Sequence, residues 1–370
     1  MVARQEDQAG LEGSQFMTAV PPMTNAGTAP VREALIFDEV ALHRWMEANV
    51  PGYSGPLTVE QFKGGQSNPT YKLMIPGRSY VLRRKPPGRI LQGAHAVERE
   101  ARVLSALERT GFPVPHVHAL CVDETVIGTW FYVMDMVEGR NFWDATFPDV
   151  RREDRPAYFD AMNGTIARLH QVDYEAIDLG DFGKPGNYFA RQIARWSKQY
   201  LEDTDAGRDP DMDRLVEWLP VNMPEDDETS IVHGDFRCDN MIFHPTEPKV
   251  VAVLDWELST LGHRLADFAN HAIMYRMPPD IVAGLAKADL AALAIPSEAD
   301  YIAAYCRRTG RASIPNYEFY IAFNFFRLAA IFHGIKGRVI RGTAASAHAK
   351  ERAKAFPALA RLACESAGCA

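Results

Sequence analysis

Ile231 to Glu257 reads IVHGDFRCDNMIFHPTEPKVVAVLDWE, and the rest of the chain can be arranged around it. Ile231-Val232 is a short β-prone pair, so His233-Gly234-Asp235 falls on the loop where the chain turns back. Asn240 follows, and Asp255 ends the apolar run Val250 to Leu254. One carboxylate to take or orient a hydroxyl proton, with an amide oxygen and a second carboxylate to hold magnesium, is the inventory phosphoryl transfer requires. The expected cofactors are therefore ATP and Mg2+. Asp235 is the expected base, and Asn240 and Asp255 are the expected metal ligands. His233 is expected to hold the loop through hydrogen bonds.

The spacing His-x-Asp-x4-Asn is that of the protein-kinase catalytic loop, and Leu254-Asp255-Trp256 stands where kinases carry Asp-Phe-Gly. Arg237 lies close to where many kinases keep a lysine near the γ-phosphate. Cys238, within the loop, would make the enzyme sensitive to alkylation if its thiol were accessible.

Upstream, three β-rich runs contain LTVEQFKG, PTYKLMI and SYVLRRK. The turn Lys63-Gly64-Gly65-Gln66-Ser67-Asn68 between the first two can lay backbone N–H groups and a hydroxyl on phosphates, although an ordinary hairpin turn has the same composition. Alternation in the third run puts Val81 and Arg83 on one face and Leu82 and Arg84 on the other. Arg83 thus takes the position of the kinase strand lysine; the alternative is that both arginines are exposed and that Lys85, or no residue of the strand, takes the role. Val97, Ala101, Leu104 and Leu107 form the apolar stripe of a helix over 94–109. Two more strands follow, and Met134 to Gly139 resembles a hinge, where main-chain groups of Asp135 and Val137 would hold an adenine.

Five stretches together resemble the aminoglycoside phosphotransferase and choline-kinase-like family: FKGGQSNPTYKL, YVLRRKPPG, HAVEREARVLSALE, FYVMDMVEGR, and HGDFRCDNMIFHP with LDWELSTLG. The nearer likeness is to the phosphotransferase domains associated with acyl-CoA dehydrogenases. The resemblance implies an α+β, protein-kinase-like fold of two lobes: a small lobe with a five-stranded antiparallel sheet and an αC-like helix, then a larger, mainly helical lobe. It also implies that Glu100, with Glu98 as competitor, pairs with the strand cation.

The chain then divides into a flexible leader over 1–33, a nucleotide-binding lobe over 34–138, and a catalytic and substrate lobe over 139–370. Helices are expected over 158–172, 187–201, 209–219, 280–293, 298–309, 316–339 and 347–366. Asp267 is expected to cap a helix and brace the catalytic loop, and His170 to be a hydrogen-bonded structural residue. Tyr188, Arg191, Arg195, Trp196, Trp256 and Glu257 are candidates for the acceptor site, with a solvated helix face carrying one buried Trp as the alternative for the helix over 187–201.

Composition narrows the function. The chain has 40 Lys and Arg against 48 Asp and Glu, a formal charge of −8. That balance argues against nucleic-acid binding, which gains affinity from clustered cations. Arg327, Asn324 and His333 interrupt the most apolar helical stretch, so no membrane span is expected. Five scattered cysteines without a CxxC suggest reduced thiols in the cytoplasm. The expected activity is an ATP-dependent kinase acting on a small-molecule hydroxyl. Its acceptor would be a hydroxyacyl compound or an aminoglycoside. The alternative is a nucleotide-binding pseudokinase serving as an interaction module.

Overall fold

Alternating apolar residues in the first third of the chain build one antiparallel sheet with two covered faces. The computed structural model describes residues 27–63, 68–88, 95–282, 284–344 and 349–370. In this region β1 is Thr28–Ala29, α1 Glu39–Asn49, β2 Thr58–Phe62, β3 Thr70–Ile75, β4 Arg78–Arg84, α2 Val97–Glu108, β5 Val117–Cys121, α3 Glu124–Ile127 and β6 Phe131–Asp135. The sheet order is β1-β2-β3-β4-β6-β5. It has six strands where five were expected, because Thr28 and Ala29, at the end of the expected leader, pair with Phe62 and Gln61.

The alternation decides which face each β4 side chain joins. Tyr80 and Leu82, with Leu73, Phe131 and Val133, pack with Leu42 and Met46 of α1 in a small core. Val81, Tyr132 and Met134 point the other way and join Val97, Ala101, Leu104 and Leu107 of α2. Arg83 and Arg84 of β4 are buried, on opposite faces. Arg84 lies on the α1 side, where its guanidinium donates to the Tyr71 hydroxyl and to the carbonyls of Ile127 and Leu35. Arg83 lies on the α2 side.

After Asp135 the chain becomes mainly helical: α4 Arg155–Leu169, α5 Tyr188–Glu202, α6 Pro210–Val221, α7 Arg264–Ala272, α8 Leu290–Leu293, α9 Glu298–Thr309, α10 Tyr317–Ile340 and α11 Ala349–Ala367. Two small antiparallel ladders interrupt the helices, β8 (Met241–Phe243) with β9 (Val250–Val253), and β7 (Ser230–Val232) with β10 (Thr260–Gly262). The helix expected over 280–293 shrinks to the four residues of α8. Gly284 accounts for this: a Cβ there would stand 1.8 Å from the Met277 carbonyl oxygen, and Leu285 and Ala286 donate back to Met274 and Met277. The backbone turns back on the segment that follows α7 too closely for a helix.

The two regions meet through the linker after β6. The backbone of Arg140 exchanges two hydrogen bonds of 2.8 Å with Phe243 of β8. A Cβ on Gly139 would sit 2.2 Å from the Phe243 carbonyl oxygen, so glycine is what allows this approach. Asn141 then donates to the carbonyls of Asp239 and Met241, tying the linker to the loop after β7. All five cysteines are free thiols, and four are buried. No helix among the described residues is long and apolar enough to cross a membrane.

Candidate active site

The loop after β7 is fixed from behind by one buried carboxylate. Asp267 of α7 accepts the backbone N–H groups of His233 and Gly234, both at 2.8 Å, and the His170 imidazole at 3.2 Å. The Tyr305 hydroxyl occupies the other nitrogen of His170 at 2.8 Å. Burial opposes ionisation of Asp267, yet the His170 hydrogen bond and the His233 amide hold its carboxyl below the usual range. The side chain that caps α7 is His263, which accepts from the Leu265 amide, so Asp267 braces the loop without capping the helix.

His233 is fully buried. Its Nδ1 accepts from the Asp235 amide at 3.2 Å, which leaves Nε2–H to donate to the Leu254 carbonyl at 2.8 Å. The same side chain therefore aims Asp235 and anchors the segment leading to Asp255. Asn240 donates through Nδ2 to the Asp235 main-chain oxygen at 2.9 Å and to Asp235 Oδ2 at 3.1 Å. Asp235 keeps Oδ1 for another partner, and Asn240 keeps its carbonyl oxygen.

Asp255 adopts a left-handed backbone conformation, φ 62°, uncommon for a residue with a Cβ. Its Oδ1 accepts from Arg83 Nη2 at 2.6 Å, and Glu257 stands 3.5 Å from the same nitrogen. Arg83 Nε lies 2.7 Å from Glu100 Oε2. Burial works against the arginine's charge, but Glu100 and Asp255 overcompensate and push its pKa above the ordinary arginine value. Burial pushes Glu100 upward, with Arg83 opposing. Glu98, the competitor, pairs with Lys85 at 2.9 Å.

Side chains from β4, α2 and the segment after β9 thus meet at Arg83, and that segment is tied to the loop after β7 through Leu254, whose amide donates to the Asn240 carbonyl at 2.8 Å. The family model of the phosphotransferase enzyme family matches residues 58–320. The chain belongs to that family. The chain is 43% identical over 339 residues to acyl-CoA dehydrogenase family member 10 of Mus musculus, a match covering 91% of this chain and 32% of the mouse protein. The chain therefore spans about a third of that relative's length. A crystal structure from Ralstonia eutropha JMP134, provisionally described as an aminoglycoside phosphotransferase, matches with TM-score 0.83 and 51% identity, covering 90% of this chain and 99% of that one. Aminoglycoside phosphotransferase APH(4)-Ia, solved with AMP-PNP and hygromycin B, shares the fold at TM-score 0.58 and 14% identity, over 88% and 98% of the two chains.

The other residues singled out in the phosphotransferase sequence lie in varied surroundings. Gly64, Gly65, Gln66 and Ser67 fall outside the described residues. Asn68 is fully buried and donates to Glu100 Oε1 at 2.7 Å. The Asp135 amide donates to the His116 carbonyl, while its carboxylate meets His118 and Arg78. Val137 is half-buried. Arg237 forms a two-pronged pair with Asp239, both bonds 2.9 Å. Cys238 is buried, and burial together with nearby Asp239 pushes its thiol up to about 12.

On the far side of the loop, Arg327 of α10 donates to the Gly234 carbonyl at 3.0 Å, and Asn270 of α7 to the same oxygen at 3.3 Å. Asn270 carried no sequence signal, because one polar residue on a helix looks like any other. Tyr188 packs within reach of Gly262, where an added Cβ would meet its ring at 2.8 Å. Arg191 is turned to the carbonyls of Gly186 and Lys184. Arg195 stacks on Trp196, a buried side chain whose indole donates to Gln192. Trp256 is core as well, donating to the Val253 carbonyl and packing on His233 and Phe112.

Proposed function

We propose that the protein is an ATP- and Mg2+-dependent kinase that phosphorylates the hydroxyl of a small anionic molecule, with a hydroxyacyl compound as the acceptor class. The observation that carries this reading is the chain of contacts from Glu100 through Arg83 to Asp255, whose neighbour Leu254 donates to the carbonyl of Asn240, the partner of Asp235. Asp235 Oδ1 accepts the proton from the acceptor hydroxyl, or orients it, as that oxygen attacks the γ-phosphorus and the bond to the ADP oxygen breaks. The transition state is loose, so the protein contributes mainly position and charge.

The donor set suits magnesium, a hard cation that needs few protein ligands when phosphates and water supply the rest. The Asn240 amide nitrogen is committed to Asp235, leaving its oxygen as a donor, and the Asp255 carboxylate supplies the second. Bound there, the ion would offset charge on the phosphates. Arg83 Nη2, which meets Asp255 here, is the cation available to the nucleotide. The main chain around Val137 and the Gly-rich turn remain proposed adenine and phosphate contacts. The lobe boundary near residue 139 is proposed as the floor of the nucleotide cleft.

Electrostatics on the acceptor side favours an anion over a polycationic aminoglycoside. The acidic cluster at the end of α5, which would be a candidate contact for an aminoglycoside, is already paired: Asp203 and Asp205 with Arg341, and Glu202 with Lys198. Arg327 instead stands against the catalytic loop. The test is ATP-dependent mass gain across hydroxyacyl acids, their CoA thioesters and aminoglycosides. Phosphorylation of the first two classes is expected, and phosphorylation confined to aminoglycosides would refute the anionic acceptor.

A further inference from the structure

What holds each oxygen of Glu100 decides what Arg83 can do. Oε1 takes the Asn68 amide N–H at 2.7 Å, and the Asn68 Oδ1 is in turn met by His95 Nδ1 at 3.0 Å. Oε2 takes the Tyr132 hydroxyl at 3.2 Å and stands 2.7 Å from Arg83 Nε. That Nε–H is buried and aimed at no acceptor, although the charges are in contact. The Nη2 of the same guanidinium reaches across to Asp255 Oδ1 at 2.6 Å.

A guanidinium and a carboxylate commonly pair side by side through two parallel bonds. Nε and Nη2 form one such edge, and a freely rotating Glu100 would take both. Here it takes neither in good alignment, because Asn68 holds Oε1 away from the arginine. Asn68 is itself fixed: it is fully buried, and its main-chain oxygen accepts the Thr70 hydroxyl at 3.0 Å.

We propose that Asn68 is a positioning residue that prevents Arg83 from closing a bidentate pair with Glu100, so that Nη2 stays directed at Asp255 and the nucleotide. The device belongs to the arginine. A lysine at position 83 presents a point charge with no fork to be captured, and would gain little from it. This inference rests on the nucleotide-binding reading of the site.

Calorimetry of Mg-ATP binding to the full chain tests it in four proteins: wild type, Asn68→Ala, Arg83→Lys and the double variant. Loss of the Asn68 side chain should weaken Mg-ATP binding by about tenfold or more in the arginine background, the scale of other outer-shell losses. In the lysine background the same change should add less than about twofold, the range of independent sites. Equal losses in both backgrounds, or no loss in the first, overturn the inference while leaving the nucleotide reading intact. A wild type that does not bind Mg-ATP overturns both. Should Asn68→Ala fail to fold, Asn68→Leu removes the donor at similar volume without adding a charge beside Glu100 and is expected to give the same contrast.

Discussion

Single side chains in the catalytic loop do different work although they are neighbours in sequence. Asp235 and Asn240 share a hydrogen bond of 3.1 Å, and His233 fixes both Asp235 and the run to Asp255 without facing outward. Cys238 lies between them, but it is buried and its thiol is pushed up to about 12, so almost no thiolate exists near neutrality. The sensitivity to alkylation that the sequence suggested is thus not expected. Iodoacetamide at pH 7.5 should leave activity intact, and inactivation that maps to Cys238 would contradict this. Asp267 shows the opposite case. Its two oxygens serve two amides and a histidine, so Asp267→Ala should cost about 3 kcal/mol or more, the scale for stranding buried partners. Urea unfolding measures this, and a cost below 1 kcal/mol would mean the loop does not depend on it.

Elements differ in how far their sequence announces them. The helix over 94–109 and β4 were legible because their periods, 3.6 and 2, are carried by residues that bury, and the same count put Arg83 opposite Arg84. The loop after β7 was legible as a loop because its polar residues keep the spacing His-x-Asp-x4-Asn. Less was readable where tertiary contact decides. The sixth strand is two residues long and exists only as a partner of β2. The helix expected over 280–293 yields to the backbone contact at Gly284. The burial of Trp196 and Trp256 depends on neighbours far away in the chain. The linker belongs to this class too. Gly139→Ala drives a methyl to 2.2 Å from the Phe243 carbonyl and should destabilise by about 1–3 kcal/mol, as overpacking does. An unfolding midpoint equal to wild type would show that the linker can lift away from β8.

At the scale of the whole molecule, the helical region carries histidines that fold in their neutral form. Burial lowers His271 to about 4, and it lowers His170 and His263 as well. His271 donates to the Phe236 carbonyl and meets the Tyr301 hydroxyl, an arrangement for one proton. The unfolded chain binds the second proton near pH 6.5 and the folded chain only near 4, so stability is full above 6.5 and declines as pH falls. His271 alone accounts for on the order of 3 kcal/mol across that range. Urea midpoints should fall from pH 7 to pH 4.5, less steeply in His271→Gln, and a flat profile would contradict this assignment. In the proposed function, the sheet region and the helical region bring a donor nucleotide and an acceptor hydroxyl together at Asp235. Its most direct test is transfer of the γ-phosphate from Mg-ATP to a hydroxyacyl compound, comparing wild type with Asp235→Asn at saturating nucleotide. Wild type should transfer, and the variant should lose about 10²- to 10⁴-fold in kcat while binding Mg-ATP as before. Equal turnover by the two proteins would contradict the account.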